Sequence, residues 1–138
     1  MKVHTTNYFN TLIEVAEDCP AAIGEVPLSK GDARSVAIAQ YDLLISNPYR
    51  FTSDEILFQV FAERKELTSD EMSSAKKAFF SKGQPCFRAS PLPKRYGWGI
   101  HSNAEGKIAL IAADSSAYEA LLKDVTVEKV KAMRTKRA

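Results

Sequence analysis

The chain has 138 residues, 45% of them hydrophobic and 26% charged, which suits one soluble globular domain with a sizeable core. Its longest uninterrupted aliphatic run, Ile108–Ala113, is too short to span a bilayer, and the start MKVHTTNYFNTLIEVAEDCP lacks the apolar stretch of a signal peptide. A formal charge of +2 hides an asymmetry, because residues 1–67 carry six cations against ten acids and residues 68–138 carry thirteen against seven.

Tyr8–Ala16 is rich in strand formers and puts Phe9, Thr11, Ile13 and Val15 on one face, which predicts a first strand ending at Cys19-Pro20. Pro20, Gly24 and Pro27 punctuate an irregular connection. A helix is expected over Asp32–Ser46, where Ala37, Tyr41, Leu44 and Ile45 recur at helical spacing and Asn47-Pro48 stops the run. The tetrapeptide TSDE then occurs twice, at Thr52–Glu55 and Thr68–Glu71, each time as a capping box: the threonine caps the helix and the glutamate reaches back. Helices are therefore expected over Ser53–Lys65 and Ser69–Lys82, the second leaving through Gly83 with Pro85 barring its return. Three strands follow, Cys86–Ser90, Tyr96–Ser102 and Lys107–Ala113; the last is apolar on both faces and so expected at the centre of the sheet. Asp114 or Ser115 caps a short helix with Tyr118, Leu121 and Leu122, and residues 125–138 read equally as a helix or a strand leading into a basic tail.

The densest chemistry lies in QPCFRASPLPKRYGWGIHS, Gln84–Ser102. As a hairpin with a loop at Leu92–Arg95, this stretch pairs Pro91 with Tyr96 and Cys86 with His101. One face then carries Phe87, Ala89, Tyr96, Trp98 and Ile100, a core face; the other carries Cys86, Arg88, Ser90, Gly97, Gly99 and His101. Directly opposed side chains come within contact, and strand glycines often mark close approach of a ligand, so the expectation is a trough floored by Gly97 and Gly99. Arg88, Ser90, Lys94 and Arg95 would hold an anion there, since guanidinium forks suit carboxylate and phosphate. Cys86 and His101 form a candidate nucleophile and base, although no third residue orients the pair. The bland alternatives are a helix lying in the trough, a cysteine acting as a small buried hydrophobe, and ordinary solvated loop charge.

Other chemistries find less support. Cys19 and Cys86 fit no CxxC or zinc spacing, the acids Glu14, Glu17 and Asp18 sit at a strand end, and no metal or cofactor is expected. There is no Walker loop, GxGxxG or GxSxG. Three helices followed by a hairpin is the order of a winged helix-turn-helix, and Lys129, Lys131, Arg134, Lys136 and Arg137 would attract phosphate. The third helix, however, opens with Asp70 and Glu71, which repel it, so nucleic acid is disfavoured.

Taken together, HTTNYFNTLIEVAEDCP, LFQVFAER, FFSKGQPCFRASPL, KRYGWGIHS and KAMRTKR resemble a family of small, mainly bacterial proteins catalogued as a domain of unknown function. The resemblance covers nearly the whole chain and implies one complete domain; it carries no activity or ligand. The expected fold is α+β, a single domain over 1–138 with an antiparallel sheet of about four strands, four or five helices, and the helical segment inserted after the first strand. The expected function is a cytoplasmic, non-enzymatic binding protein for a small anionic ligand or a protein partner, with no membrane association. A Cys86/His101 enzyme and a nucleic-acid binder are the alternatives.

Overall fold

The computed structural model describes residues 4–27 and 35–134. Its elements run β1 (Thr11–Glu14), α1 (Val36–Ser46), α2 (Ser53–Arg64), α3 (Ser69–Phe79), a 3-10 turn (Phe87–Ala89), α4 (Pro91–Arg95), β2 (Trp98–Ser102), β3 (Ile108–Ala112), α5 (Ser116–Lys123) and β4 (Glu128–Lys131). The fold is α+β, with the helical segment following the first strand as expected. Asp32, the expected start of α1, lies outside the described residues; within them Ser35 caps the helix by accepting from the Ile38 amide.

The four strands form one sheet in the order β3-β2-β1-β4. β1 and β2 pair antiparallel, as do β2 and β3, but β4 runs parallel to β1, so the sheet is mixed rather than wholly antiparallel. β3 lies at the edge, correcting the central position its apolar sequence suggests. Its outer side is partly covered by the α1–α2 connection, where the Tyr49 amide donates to the Ile108 carbonyl at 3.0 Å and the Ile108 amide to Phe51 at 2.9 Å. That borrowed pairing, with helices α1 and α5 also contacting the strand, explains how an apolar strand tolerates an edge. Because β2 is also paired with β1, the β2–β3 hairpin is built into the sheet rather than a projecting wing.

The main core lies on one face of the sheet, where Ile13, Ile100 and Trp98 meet Leu44, Ile56, Val60, Phe87 and Leu92. On the opposite face Leu12, Tyr118 and Val127 form a smaller cluster under α5. Gln84–Arg95 departs most from expectation. The Ala89 amide donates to Cys86 and the Ser90 amide to Phe87, closing a 3-10 turn where a strand was expected. Ser90 then caps α4, its hydroxyl accepting from the Leu92 amide at 3.2 Å, and Pro91 and Pro93 follow inside the first turn. Amides in a first helical turn have no intrahelical partner, so both prolines are tolerated there. Ser-Pro-Leu-Pro is thus a helix start, not a strand end.

The first TSDE box is complete: Thr52 Oγ1 accepts from the Glu55 amide at 3.2 Å and Glu55 accepts from the Thr52 amide at 2.9 Å. In the second, Glu71 accepts from both the Thr68 amide and its hydroxyl. The first box also does something its sequence does not reveal. The Asp54 carboxylate accepts from the hydroxyls of Thr5 and Thr6 and from the Thr6 amide, at 2.6–2.7 Å, strapping the N-terminal segment across the start of α2. The two caps should differ in weight. Thr52→Ala is expected to lower global stability by about 1 kcal/mol, whereas Thr68→Ala should leave it nearly unchanged and speed local amide exchange in α3, a helix with no fully buried residue. Denaturant titration with hydrogen exchange separates the two.

Candidate functional site

The glycine floor is sealed. Gly97 precedes β2 in a left-handed conformation, φ 77°, and a Cβ there would lie 2.1 Å from the Ile23 carbonyl oxygen. At Gly99 a Cβ would lie 2.6 Å from Cε2 of Tyr118, which α5 lays across the sheet. Both glycines serve close packing, and the expected trough does not exist as an open surface.

The residues expected to converge there are dispersed. His101 shares the α5 face of β2 with Gly99, while Cys86 lies on the opposite side of the sheet among residues of α1 and α2. No Cys86–His101 pair forms. Arg88 turns to the C-terminal strand, its Nε donating to the Lys131 carbonyl at 2.7 Å while its own carbonyl accepts from the Met133 amide. Lys94 and Arg95 occupy the last turn of α4, where cations favour the helix dipole. The acidic first half meets the basic second half at Glu17, which faces Lys131 at 3.3 Å and Arg134 at 3.9 Å.

The His101 Nδ1 sits 2.8 Å from the Tyr49 hydroxyl, with the two rings edge to face. Tyr49 reaches it from a left-handed backbone position, φ 58°, as its connection wraps the β3 edge. Burial holds the His101 imidazole below its ordinary value of 6.5, with Asp124 pulling weakly the other way. An unfolded chain therefore binds a proton more readily than the folded one. The stabilisation is complete above about pH 6.5 and is lost as pH falls through the lower folded value. His101→Gln, which keeps an acceptor for Tyr49, should flatten the loss of stability between pH 7.5 and 5; urea titrations with parallel slopes for both proteins would refute this.

A concave site among the described residues lies elsewhere, a cleft of about 350 Å³ between α1, α2 and the segment leading into α4. Val36, Leu57, Val60, Phe61, Phe79, Pro85, Ala89 and Pro91 supply its apolar lining, and Gln40, Arg64, Lys65, Gln84, Cys86 and Ser90 its polar groups. Among the described residues no carboxylate lines it. Gln40 is held in the wall by a 2.6 Å hydrogen bond from the Ser90 hydroxyl, both residues being buried. Gln84 is anchored through its amide nitrogen to the Phe79 carbonyl at 2.7 Å. The Cys86 sulfur lies 3.7 Å from the Tyr8 hydroxyl. Burial, then the thiol, pushes the Tyr8 phenol up, while nearby Arg88 draws it down.

Of the residues expected to form a site, Cys86 and Ser90 line this cleft; Arg88, Lys94, Arg95, Gly97, Gly99 and His101 do not. Sequence reasoning missed Gln40, Phe61, Arg64, Lys65, Phe79 and Gln84. A signal existed for Gln40, a polar residue inside the Ala37–Tyr41–Leu44 stripe of α1. Arg64 and Lys65 carry no sequence signal beyond their place at a helix end. Among the described residues no three His, Cys, Asp or Glu side chains gather as a metal site, and no helix is long and apolar enough to cross a membrane.

One family model, described as a family of unknown function (DUF6157), matches residues 3–138. No curated protein and no solved structure matches the chain.

Proposed function

The chain belongs to that family of unknown function, and we propose that it is a non-enzymatic binding protein whose cleft takes a small ligand with an apolar body and an anionic head. The observation that carries this reading is the lining itself: apolar walls with the Lys65 cation just past the end of α2 and no acid among the described lining residues. Mostly apolar concavities of roughly 300–1,000 Å³ with a few fixed polar groups are the usual form of small-molecule sites. Lys65 would supply a charge-assisted hydrogen bond to an anion, and the Ser90–Gln40 bond holds part of the lining in place. Two free thiols, Cys19 and Cys86, fit a reducing, cytosolic setting.

The test uses 1-anilinonaphthalene-8-sulfonate, an apolar anion whose fluorescence rises on burial. Saturable, one-to-one binding is expected. Ala89→Phe, which adds a ring to the cleft lining, should weaken it at least tenfold while far-UV dichroism stays native. Non-saturable binding, or binding that Ala89→Phe leaves intact, would remove the cleft as the site.

A further inference from the structure

The cleft also asks for a second polar feature in its ligand, and this inference rests on the reading just given. Gln40 stands in the middle of α1, one turn after Val36, which lines the cleft too, and one turn before the core residue Leu44. The other buried residues of this helix are Ala37, Ala39 and Leu44, yet Gln40 is only 3% exposed. Burying a primary amide among apolar groups costs free energy unless both of its ends find partners.

The protein supplies a partner to one end. The Ser90 hydroxyl oxygen accepts from the Leu92 amide at 3.2 Å, and its single proton goes to Gln40 Oε1 at 2.6 Å. Nε2 keeps its two hydrogens, and among the described residues no group accepts from them. No fully enclosed side-chain nitrogen or oxygen among these residues lacks a partner, so Nε2 opens on the cleft that Gln40 lines. The result is a donor oriented by Ser90 and nearly stripped of solvent. A ligand that fills the cleft offers this donor an oxygen or leaves it unpaired, and the second choice is penalised. A carboxylate is the wrong oxygen here, because it would surrender its hydration to a neutral donor, whereas Lys65 gives an anionic head a cation. A neutral carbonyl loses far less. We infer that the cleft selects ligands with a neutral carbonyl, ketone or amide, in the apolar body, its oxygen accepting from Gln40 Nε2.

The experiment is NMR titration of the full chain with ligand pairs that exchange C=O for C=CH2. Acetophenone is set against α-methylstyrene, and cyclohexyl methyl ketone against isopropenylcyclohexane. N-Methylbenzamide, binding more or less tightly than acetophenone, tells an amide source from a ketone. Gln40→Met, which keeps the length and removes the amide, should weaken both ketones about fivefold to tenfold, the scale of one hydrogen bond. The alkenes should stay within twofold, which also shows that the variant is folded. In the unaltered chain, cyclohexyl methyl ketone should move the Gln40 side-chain amide proton resonance downfield and its alkene should not. Parallel losses of ketone and alkene in Gln40→Met, or an amide resonance that the ketone leaves in place, would overturn the carbonyl assignment. Naphthalenesulfonate binding would then still support the cleft. Failure of the ketones together with loss of the naphthalenesulfonate site would overturn both.

Discussion

Gly97→Ala is expected to cost roughly 3 kcal/mol or more, seen as a fall in melting temperature of about 10 °C. Two penalties coincide at this residue. Its φ of 77° is a conformation that a side chain disfavours, and the added methyl would lie 2.1 Å from a backbone oxygen of the 20–27 connection. That connection cannot easily retreat. The Glu25 amide donates to Tyr96 at 2.8 Å, and the Trp98 indole donates to the Glu25 carbonyl at 2.8 Å, so moving Ile23 loosens the loop that covers the tryptophan. Thermal melting of the variant checks this, and a shift under 2 °C would mean that the loop does not press on Gly97.

Phe87→Ala is expected to cost about 3–5 kcal/mol, the usual loss for a large aromatic removed from a packed interior. Phe87 is 1% exposed and sits in the 3-10 turn, with Ile13, Ile56, Leu92 and Ile100 in the same core. Arg88 ties the turn to Lys131 and Met133 from outside, but Phe87 is its one ring in the core, so the cavity would also loosen the wall that carries Cys86 and Ala89 toward the cleft. Urea unfolding gives the stability change, and naphthalenesulfonate titration of the folded fraction should show weakened binding as well. A loss below 1 kcal/mol would show that the turn is not seated by this ring.

Both predictions fall in the stretch where the sequence was most misleading. Gln84–Ser102 sorts cleanly into an apolar and a polar face when drawn as a hairpin, and half of that sorting is real: Phe87, Trp98 and Ile100 do share one core. Alternation cannot distinguish a strand from a tight turn that also delivers one side chain inward, and the helix signal in Ser90-Pro91 outweighs the alternation locally. The candidate site inherited the error. Its glycines were correctly identified as points of close approach, but what approaches is Tyr118 and the Ile23 carbonyl rather than a ligand. Of the actual cleft, only Cys86 and Ser90 were legible in advance. The remaining walls come from α1, α2 and the end of α3, far apart in the chain, and no residue pattern brings them together.

The sequence by itself determined the α+β class, both TSDE-capped helices and the turn at Asn103–Gly106. Caps, turn residues and strand alternation act over a few residues, so they are readable wherever they occur. Only the tertiary structure decided that β4 lies parallel to β1, that β3 is an edge, that α5 closes the glycine face, and that residues of α1, α2 and the segment leading into α4 line one cleft. Each of these depends on contacts between segments tens of residues apart, whose free energy comes from burying surfaces against one another and is carried by no local motif.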